Sequence, residues 1–487
     1  METIMEAIPF YVAGRPEDGT ETLDVTSPYD GSLVGRTGFA SPEQVERAVA
    51  AAAAVAPVAA ALPAHVRASA LDHVVRRLTE RADELAHTIT AENGKPIKWA
   101  RGEVNRAIST FRWAAEEARR FSGEVQRLDT DATATGRIAF VKRVPKGPIL
   151  GISPFNFPLN LVAHKVAPAI AVGAPIVLKP APATPLSALI LGEILAEVTG
   201  DGKLPEGMFS VLPVPNDRAG DLVADPRLPV VSFTGSGPVG ASIRAAVPAK
   251  HVTLELGGNA AAVVCGDYSS AEDLEWAATR IALFSNYQAG QSCIAVQRVI
   301  VHTDIYDEFV PRLVDKVKAL PTGDVWDETT EVGPVINTAA AERIETWVRE
   351  AEAAGARNLT GWNRSGNQID PVVLEGAPAD VKVCAEEVFG PVLVLIRAES
   401  DARALATVNE SAYGLQAGVF THNVQTAFHA HRTLEVGGVI VGDVPSFRAD
   451  QMPYGGIKGS GVGREGLAWA MDDYTDARVM VLTGVEL

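Results

Sequence analysis

One cysteine, Cys293, lies in a segment of the chain that could support nucleophilic chemistry. The segment 289–294 reads Ala-Gly-Gln-Ser-Cys-Ile and lies between a helical pattern at 273–286 and the β-branched run 296–301. A glycine just before the cysteine permits a tight turn that could present the sulfur to a cleft. Thiolates are nucleophiles in electropositive or dipolar surroundings. A free cysteine is more often a small buried hydrophobic residue, so the interpretation depends on the rest of the chain.

Two other polar residues, Glu255 and Asn156, lie in apolar surroundings that suit catalysis. Glu255 falls in the run Thr-Leu-Glu-Leu-Gly-Gly-Asn at 253–259, where burial would raise its pKa toward the range of a general base. Asn156 lies between aromatic residues and prolines at 154–158, and a fixed side-chain amide can donate to an oxyanion. Alternatively, Glu255 pairs with a structural cation or a backbone amide, and Asn156 caps a helix that begins at Pro158.

Two further segments have features of a nucleotide site. The run Phe-Thr-Gly-Ser-Gly-Pro-Val-Gly at 233–240 follows an apolar strand and opens a helix, so Gly235 and Ser236 could lie against a phosphate. Lys179 ends a second apolar strand, and ligands of parallel sheets bind at the carboxyl ends of strands. Alternatively, the first segment is an ordinary turn and Lys179 is a solvated lysine.

The elements around these residues predict an α/β fold. After Ser41-Pro42-Glu43, which opens a helix, helical patterns at 66–92 and 96–122 flank the turn Asn93-Gly94-Lys95-Pro96. From residue 147, apolar runs alternate with helical patterns, which predicts β-α-β units in a doubly wound parallel sheet. The runs are 148–152, 176–178, 208–212, 230–233 and 260–264, and the helices are 159–172, 184–199, 217–224 and 237–246.

A second α/β region is predicted after Asp267, and its boundary rests on strand spacing alone. Apolar runs at 296–301, 392–396 and 439–441 represent its strands. Its helical patterns lie at 271–286, 304–319, 338–354, 400–407 and 423–432.

Composition narrows the class of protein. A chain of 487 residues predicts two to four domains, and a net charge of −17 argues against nucleic-acid or anionic-membrane partners. The three cysteines form no C-x-x-C pair, so no disulfide framework and no metal site are expected, and a cytoplasmic setting fits best.

The first eleven residues lack the pattern of a secretory signal. The apolar stretch 162–178 is interrupted by charges and prolines, so we expect a buried helix and strand rather than a membrane span.

Seven motifs in order make the sequence resemble the aldehyde dehydrogenase superfamily over residues 8–485. They are Pro-Phe-Asn-Phe-Pro at 154–158, Lys179-Pro180, Phe-Thr-Gly-Ser at 233–236, Glu-Leu-Gly-Gly at 255–258, Gly-Gln-Ser-Cys at 290–293, Glu-Val-Phe-Gly-Pro at 387–391, and Pro-Tyr-Gly-Gly at 453–456 leading to Ser460-Gly461.

The resemblance implies a reaction and a set of catalytic residues. Cys293 attacks an aldehyde, Asn156 and the Cys293 backbone N–H hold the oxyanion, and hydride transfer to NAD(P)⁺ leaves a thioester. Glu255 then activates the water that releases a carboxylic acid, and Glu465 matches a carboxylate sometimes assigned to proton relay.

The resemblance also implies a cofactor site. We expect NAD, with NADP not excluded, because Pro182 stands where many members have a glutamate that repels a 2′-phosphate. The cofactor-binding residues implied are Ile152, Ser153, Phe155, Lys179, Pro182, Gly235, Ser236, Val239, Leu256, Glu387 and Phe389.

The implied architecture has three parts. A Rossmann-like cofactor domain covers 1–122 and 147–256, and an α/β catalytic domain covers 257–458. A small β oligomerisation arm covers 123–146 and 470–487. We therefore expect a homodimer or homotetramer.

The substrate follows least directly from the sequence. Arg112, His164, Ser292 and Arg448 are candidate pocket residues, and their charges suit a short hydroxylated or anionic aldehyde of the lactaldehyde, semialdehyde or phosphonoacetaldehyde type. Alternatively, Arg448 belongs to an ion pair between subunits. Rival functions are a thiol esterase, a coenzyme A-acylating reductase and a catalytically silent binding or structural protein on the same scaffold.

Overall fold

The computed structural model describes residues 7–484, so the outermost residues of the predicted cofactor domain and arm, 1–6 and 485–487, lie outside the described part. The α-helices are α1 (Pro42–Ala61), α2 (Ala64–Glu80), α3 (Ala82–Asn93), α4 (Ile97–Arg120), α5 (Asn160–Val172), α6 (Leu186–Gly200), α7 (Ala219–Ala224), α8 (Gly237–Ala246), α9 (Ala271–Asn286), α10 (Thr303–Lys318), α11 (Thr338–Ala353), α12 (Lys382–Ala385), α13 (Asp401–Asn409), α14 (Val424–Thr433) and α15 (Leu467–Asp473).

The strands are short, and most belong to two large sheets. They are β1 (Phe10–Val12), β2 (Arg15–Glu17), β3 (Glu21–Thr26), β4 (Leu33–Phe39), β5 (Glu124–Arg127), β6 (Arg137–Pro145), β7 (Ile149–Ile152), β8 (Ile176–Lys179), β9 (Phe209–Val211), β10 (Val230–Thr234), β11 (His251–Glu255), β12 (Ala261–Val264), β13 (Arg298–His302), β14 (Arg357–Asn358), β15 (Arg364–Ser365), β16 (Gln368–Ile369), β17 (Val372–Glu375), β18 (Val392–Ala398), β19 (Tyr413–Gly414), β20 (Gln416–Phe420), β21 (Gly438–Val441), β22 (Ile457–Lys458), β23 (Gly461–Val462) and β24 (Thr475–Thr483).

The first sheet has the order β2-β1-β9-β8-β7-β10-β11-β23, and its five central strands are parallel. Strand order reverses between β7 and β10, which is where doubly wound sheets bind ligands beyond the carboxyl ends of their strands. The loops that carry Asn156, Lys179 and Ser236 all leave this edge. The predicted doubly wound α/β fold is therefore confirmed.

The second sheet has the order β14-β17-β18-β13-β12-β20-β21 and is parallel except at β14. Its cores are separate from that of the first sheet. Two of its buried strands, β17 and β20, were not predicted, because their apolar runs are short.

The predicted helix at 66–92 is wrong as a single element. The structure divides the segment into α2 and α3 at Arg81, which leaves helical geometry with φ −106° and ψ 20°. The Arg81 guanidinium donates to Glu84 and forms an ion pair with Glu193 on α6. No glycine or proline marks this break, so the sequence pattern does not show it. The predicted turn at Gly94 is confirmed, because Gly94 ends α3 with a φ of +74°.

A third, antiparallel sheet has the order β24-β6-β5. β24 pairs with β6 in the register Thr475↔Pro145 to Thr483↔Arg137. Several apolar side chains of this sheet are exposed, among them Val125, Val479 and Met480. Exposed apolar surface of this kind is typical of an interaction face.

Helix α1 is long and apolar enough, by length and composition, to cross a membrane. Ala48, Val49 and Ala52 of this helix are buried in the core of the first sheet. A single helix that meets this criterion is weak evidence for a membrane span, because core helices meet it too.

Candidate active site

The turn before Cys293 has an unusual backbone. Gln288, Ala289 and Gly290 have φ values of +52°, +54° and +68°, in the left-handed region that costs non-glycine residues about 1–2 kcal/mol each. Any side chain at position 290 would place its Cβ 2.1 Å from the Gly390 carbonyl oxygen. The Gln291 side chain fixes the turn, because its Oε1 accepts from the Ile336 N–H at 2.9 Å. The turn therefore presents Cys293 in one defined position.

Asn156 lies directly against this turn. Its Nδ2 donates to the Gln291 carbonyl oxygen at 3.0 Å, and its own carbonyl oxygen accepts from the Gln288 side chain. The Asn93 side chain holds the preceding residue, with Nδ2 donating to the Phe155 carbonyl oxygen at 2.8 Å. Asn156 is not the cap of α5, because the backbone N–H groups at the start of that helix donate to Glu103 instead. The loop thus places a side-chain amide close to the cysteine.

Glu255 is the last residue of β11, and its side chain is buried. Neither carboxylate oxygen has a hydrogen-bond partner within residues 7–484. Burial, followed by the charge of Glu465, raises the pKa of Glu255 well above its usual value. Gly455 makes room for the carboxyl group, since a Cβ there would lie 2.8 Å from Glu255 Oε1. The structure therefore does not show the cation or amide partner that the alternative interpretation required.

The Cys293 sulfur contacts the hydroxyl group of Tyr454, with 2.8 Å between Sγ and Oη. Burial raises the pKa of the Cys293 thiol to about 12. The Tyr454 hydrogen bond and the Arg448 charge lower this pKa, whereas the charges of Glu387 and Glu255 raise it. The thiol is therefore protonated at neutral pH in this state, and formation of a thiolate requires a base.

Arg448 is the centre of a buried charged cluster. Its Nη2 lies 3.0 Å from Glu465 Oε2 and 3.3 Å from His164 Nε2. Its guanidinium carbon stands 3.7 Å from the centroid of the Tyr454 ring. Asp450 extends the cluster, with Oδ1 lying 3.3 Å from His164 Nε2. Arg448 is thus paired within its own chain, and no partner subunit is needed for its ion pair.

Glu465 connects the cluster to the first sheet. Its Oε1 lies 3.4 Å from Lys165 Nζ and accepts from Thr234 Oγ1 at 3.3 Å. Charges from Lys165 and Arg448 hold the pKa of Glu465 at about 2 despite its burial. Glu465 therefore remains ionised at neutral pH, whereas burial and the Glu465 charge raise the pKa of Glu255.

The edge of the first sheet offers groups suited to a nucleotide. Lys179 Nζ donates to Asn216 Oδ1 at 2.8 Å, and burial lowers the pKa of Lys179 to about 8. Ser236 is the N-cap of α8, but its side chain makes no capping hydrogen bond. Gly240 lets α8 pack on Leu256, since a Cβ there would lie 2.4 Å from Leu256 Cδ2. The helix end with its unused N–H groups can thus receive a phosphate.

A second set of groups at this site comes from the segment 387–391. Glu387 Oε1 accepts from the Gly258 N–H at 2.9 Å, and burial raises the pKa of Glu387 to about 7. Phe389 has a left-handed φ of +48°, and its ring meets that of Phe155 edge to face at 5.8 Å. Strain of this kind is common at functional sites.

The comparisons with known proteins agree with this geometry. The model of the aldehyde dehydrogenase family matches residues 15–480. The chain belongs to the aldehyde dehydrogenase family. It is an NAD(P)-dependent aldehyde dehydrogenase, and the predicted fold and enzyme class are confirmed.

Similar proteins act on several aldehydes. A 3-sulfolactaldehyde dehydrogenase of Priestia aryabhattai is 40% identical over 97% of each chain, and a lactaldehyde dehydrogenase of Methanococcus vannielii is 36% identical over 95% of this chain and 97% of its own. The crystal structure of aldehyde dehydrogenase 21 from Physcomitrella patens in complex with the reaction product succinate is 45% identical, covers 99% of both chains and has a TM-score of 0.96.

The other predicted site residues of this aldehyde dehydrogenase are distributed as follows. The Ser292 hydroxyl oxygen accepts from Tyr287 Oη at 2.9 Å, next to Cys293. The Ser153 hydroxyl, just beyond Ile152 at the end of β7, is buried without a partner in the described part of the chain. Pro182 is half-buried and Val239 is exposed.

Arg112 does not join the candidate pocket cluster. Its side chain is exposed on α4, and it makes no hydrogen bond or ion pair with any residue between 7 and 484. The arginine of α4 that reaches the cluster is Arg106, whose Nη2 lies 2.9 Å from Asp450 Oδ1. Arg106 and Arg112 point in different directions because they are six residues apart on α4, and six residues correspond to a rotation of about 240° around a helix axis.

Sequence analysis missed the roles of Lys165, Arg106, Asp450 and Tyr454. Lys165 could have been found, because a lysine inside an otherwise apolar helix is rarely buried without a partner. Tyr454 lies within the motif at 453–456, but nothing in that motif indicates that its hydroxyl reaches Cys293.

Proposed function

We propose that this enzyme oxidises a short hydroxylated or anionic aldehyde to its acid with NAD⁺ or NADP⁺, through a thiohemiacetal and then a thioester on Cys293. One observation carries the proposal. The Asn156 amide donates to the carbonyl oxygen of Gln291, two residues before Cys293, and the unpartnered carboxyl group of Glu255 is near enough for its charge to raise the pKa of the Cys293 thiol. The three groups supply the nucleophile, the oxyanion donor and the base that such a reaction requires.

In the proposed sequence, Glu255 first takes the thiol proton of Cys293, and the thiolate adds to the aldehyde carbon. The Asn156 Nδ2 group and the Cys293 N–H donate to the oxygen that becomes negative. The nicotinamide, when bound, would accept the hydride that the thiohemiacetal carbon loses, which leaves a thioester on Cys293. Glu255 releases the proton that it took from the thiol and then removes a proton from the water that cleaves the thioester. We propose that Glu465, which pairs with Lys165, relays these protons.

We propose that Lys179, Ser236 and Glu387 hold the cofactor, and several observations support the fit. Lys179 is a buried cation with a neutral partner, and Ser236 leaves the amino end of α8 uncapped. Gly257 makes room beside Glu387, because a Cβ there would lie 2.2 Å from Glu387 Oε2. Pro182 adds no negative charge near Lys179, so we expect NADP⁺ to be accepted as well as NAD⁺.

For the substrate, we propose that Arg448 and His164 recognise the charged or hydroxyl group of the aldehyde. Arg448 retains binding capacity, since its buried Nε has no partner among the residues that the structure describes. The names of the sulfolactaldehyde and lactaldehyde dehydrogenases and the succinate complex support this class.

A substrate panel tests this proposal. In Arg448→Met, kcat/KM for aldehydes with a carboxylate or sulfonate should fall about 10- to 100-fold relative to propanal, because one charge-assisted hydrogen bond is lost. The matched control is Arg397→Met, since Arg397 also stacks on a tyrosine, 4.0 Å from the Tyr306 centroid, and also pairs with a carboxylate. An equal loss on every aldehyde would contradict recognition by Arg448.

Three measurements separate the rival functions. Coenzyme A added to the reaction should leave the acid as product, and a coenzyme A thioester would favour the acylating reductase. Full turnover by Cys293→Ala would refute the thioester route. Absence of both cofactor binding and activity would favour a silent protein.

We also propose that the sheet β24-β6-β5, the predicted oligomerisation arm, joins copies of this chain. The exposed apolar side chains Val125, Val479 and Met480 support this proposal. Val479→Asp should lower the sedimentation coefficient of the native enzyme, and an unchanged coefficient would contradict it.

A further inference from the structure

The hydroxyl group of Tyr454 is in direct contact with the proposed nucleophile, Cys293. Its Oη is 2.8 Å from Cys293 Sγ, and a thiolate sulfur can only accept in this contact. We infer that Tyr454 is a further catalytic residue, whose hydroxyl donates to the Cys293 sulfur whenever that sulfur carries a negative charge. The inference rests on the proposed function of Cys293 and adds a role for a residue outside the three proposed catalytic groups.

The surroundings hold the Tyr454 ring in place. The ring is buried and packs with Ile294 and Leu415. The Tyr454 N–H donates to the Glu465 carbonyl oxygen at 3.0 Å, and the Glu465 N–H donates back at 2.7 Å. Because the Glu465 carboxylate also pairs with Arg448, which stacks on the ring, these contacts form a closed loop. These contacts restrain the ring and keep its hydroxyl group beside the sulfur.

The charges around Cys293 show why the hydrogen bond from Tyr454 matters for a negatively charged sulfur. Glu255 and Glu387 oppose a negative sulfur, and burial opposes it most. Arg448 and Tyr454 favour it, and of these two only Tyr454 touches the sulfur. A charge-assisted hydrogen bond in a buried site is roughly twice as strong as a neutral one. The hydrogen bond from Tyr454 therefore stabilises a negative charge on the Cys293 sulfur that Glu255 and Glu387 destabilise.

The proton balance is consistent with this role. The thiol proton passes to Glu255, while Tyr454 keeps its own proton because burial raises the pKa of the phenol well above its usual value. As the carbon–sulfur bond forms, the sulfur loses its negative charge and the hydrogen bond weakens. When water cleaves the thioester, the electron pair of that bond returns to sulfur, and Tyr454 donates again. The residue thus acts at both the first and the last step.

The test is the pH dependence of Cys293 alkylation by iodoacetamide in Tyr454→Phe, followed by mass spectrometry from about pH 6 to about pH 10. We expect the rate at neutral pH to fall about 10- to 100-fold and the profile to shift upward by about one to two pH units. Tyr306→Phe is the matched control, because Tyr306 is buried, donates to Glu375 at 2.9 Å and stacks with an arginine far from Cys293. It should alkylate as the parent enzyme does.

The possible outcomes separate this inference from the proposed function. If Cys293→Ala is inactive but Tyr454→Phe keeps the parent profile, Tyr454 only fills space and the inference fails alone. If Cys293→Ala keeps its turnover, the proposed function itself fails. Should Tyr454→Phe not fold, a fluorinated tyrosine at position 454 preserves the shape and strengthens the donor. The profile should then shift downward, and an unshifted profile would overturn the inference.

Discussion

Two regions of the molecule each bury a glutamate, but the two carboxyl groups differ in their hydrogen-bond partners. At the start of α5, Glu103 Oε1 accepts from the N–H groups of Leu159 at 2.9 Å and Asn160 at 3.1 Å, and Oε2 pairs with Lys95. At the end of β11, Glu255 has no hydrogen-bond partner within the described chain. An unpartnered buried carboxyl group lowers stability. The comparison separates a carboxylate that holds neighbouring segments in place from the carboxyl group that we propose as the base.

We expect the Glu103 region to support the proposed site without taking part in its chemistry. Lys95 follows the turn at Gly94, and its ammonium nitrogen lies 4.0 Å from the centroid of the Phe157 ring. Glu103 in turn holds the first N–H groups of α5, the helix that carries His164 and Lys165. The pair thus connects the α3–α4 turn to both the Asn156 loop and the charged cluster.

The largest expected effect comes from Glu255→Gln, which removes the proposed base but keeps its shape. We expect kcat to fall about 10²- to 10⁴-fold, because general-base catalysis contributes that much. The thermal unfolding midpoint should be unchanged or higher, because an amide is less costly to bury than a carboxylate. Stopped-flow measurement of NADH and calorimetry check the two parts. Normal turnover with lowered stability would place Glu255 with Glu103 as a structural residue.

Glu103→Gln should show the opposite pattern. The free energy of unfolding should fall by about 3–5 kcal/mol, because the buried Lys95 ammonium loses its counter-charge. Urea unfolding checks this value. Lys95→Met combined with Glu103→Met should recover part of the loss, since no charge is then left unpaired. A large fall in kcat with little change in the free energy of unfolding would contradict a purely positioning role.

Lys179 is an intermediate case, a buried cation with a neutral partner, and its expected effect is the smallest. Because burial lowers its pKa to about 8, Lys179 is charged below about pH 8 and neutral above it. The KM for NADP⁺ should therefore rise several-fold between about pH 7 and about pH 9. Lys179→Arg should remove this dependence, since arginine stays charged. An unchanged pH dependence in that variant would show that another group is responsible.

Much of the fold could be predicted from the sequence, because its signals are local. The alternation of apolar runs with helical patterns showed the parallel strands, and the residues at their carboxyl ends include Lys179 and Ser236. The break at Arg81 and the strands β17 and β20 could not be predicted, since contacts with distant segments decide them. The pairing of β24 with β6 joins segments more than 300 residues apart, and local periodicity cannot specify such a register.

The sequence by itself determined the family, the reaction class and the residues that we propose for it, because ordered motifs around Asn156, Glu255 and Cys293 are local patterns. Only the tertiary structure decided which charges meet there. It placed Arg448 against Glu465 and Tyr454, excluded Arg112 from that cluster, and brought the Tyr454 hydroxyl to the Cys293 sulfur. The physical reason is that charge and hydrogen bonding act over a few ångströms of space, and the chain brings such groups together from segments as much as 344 residues apart.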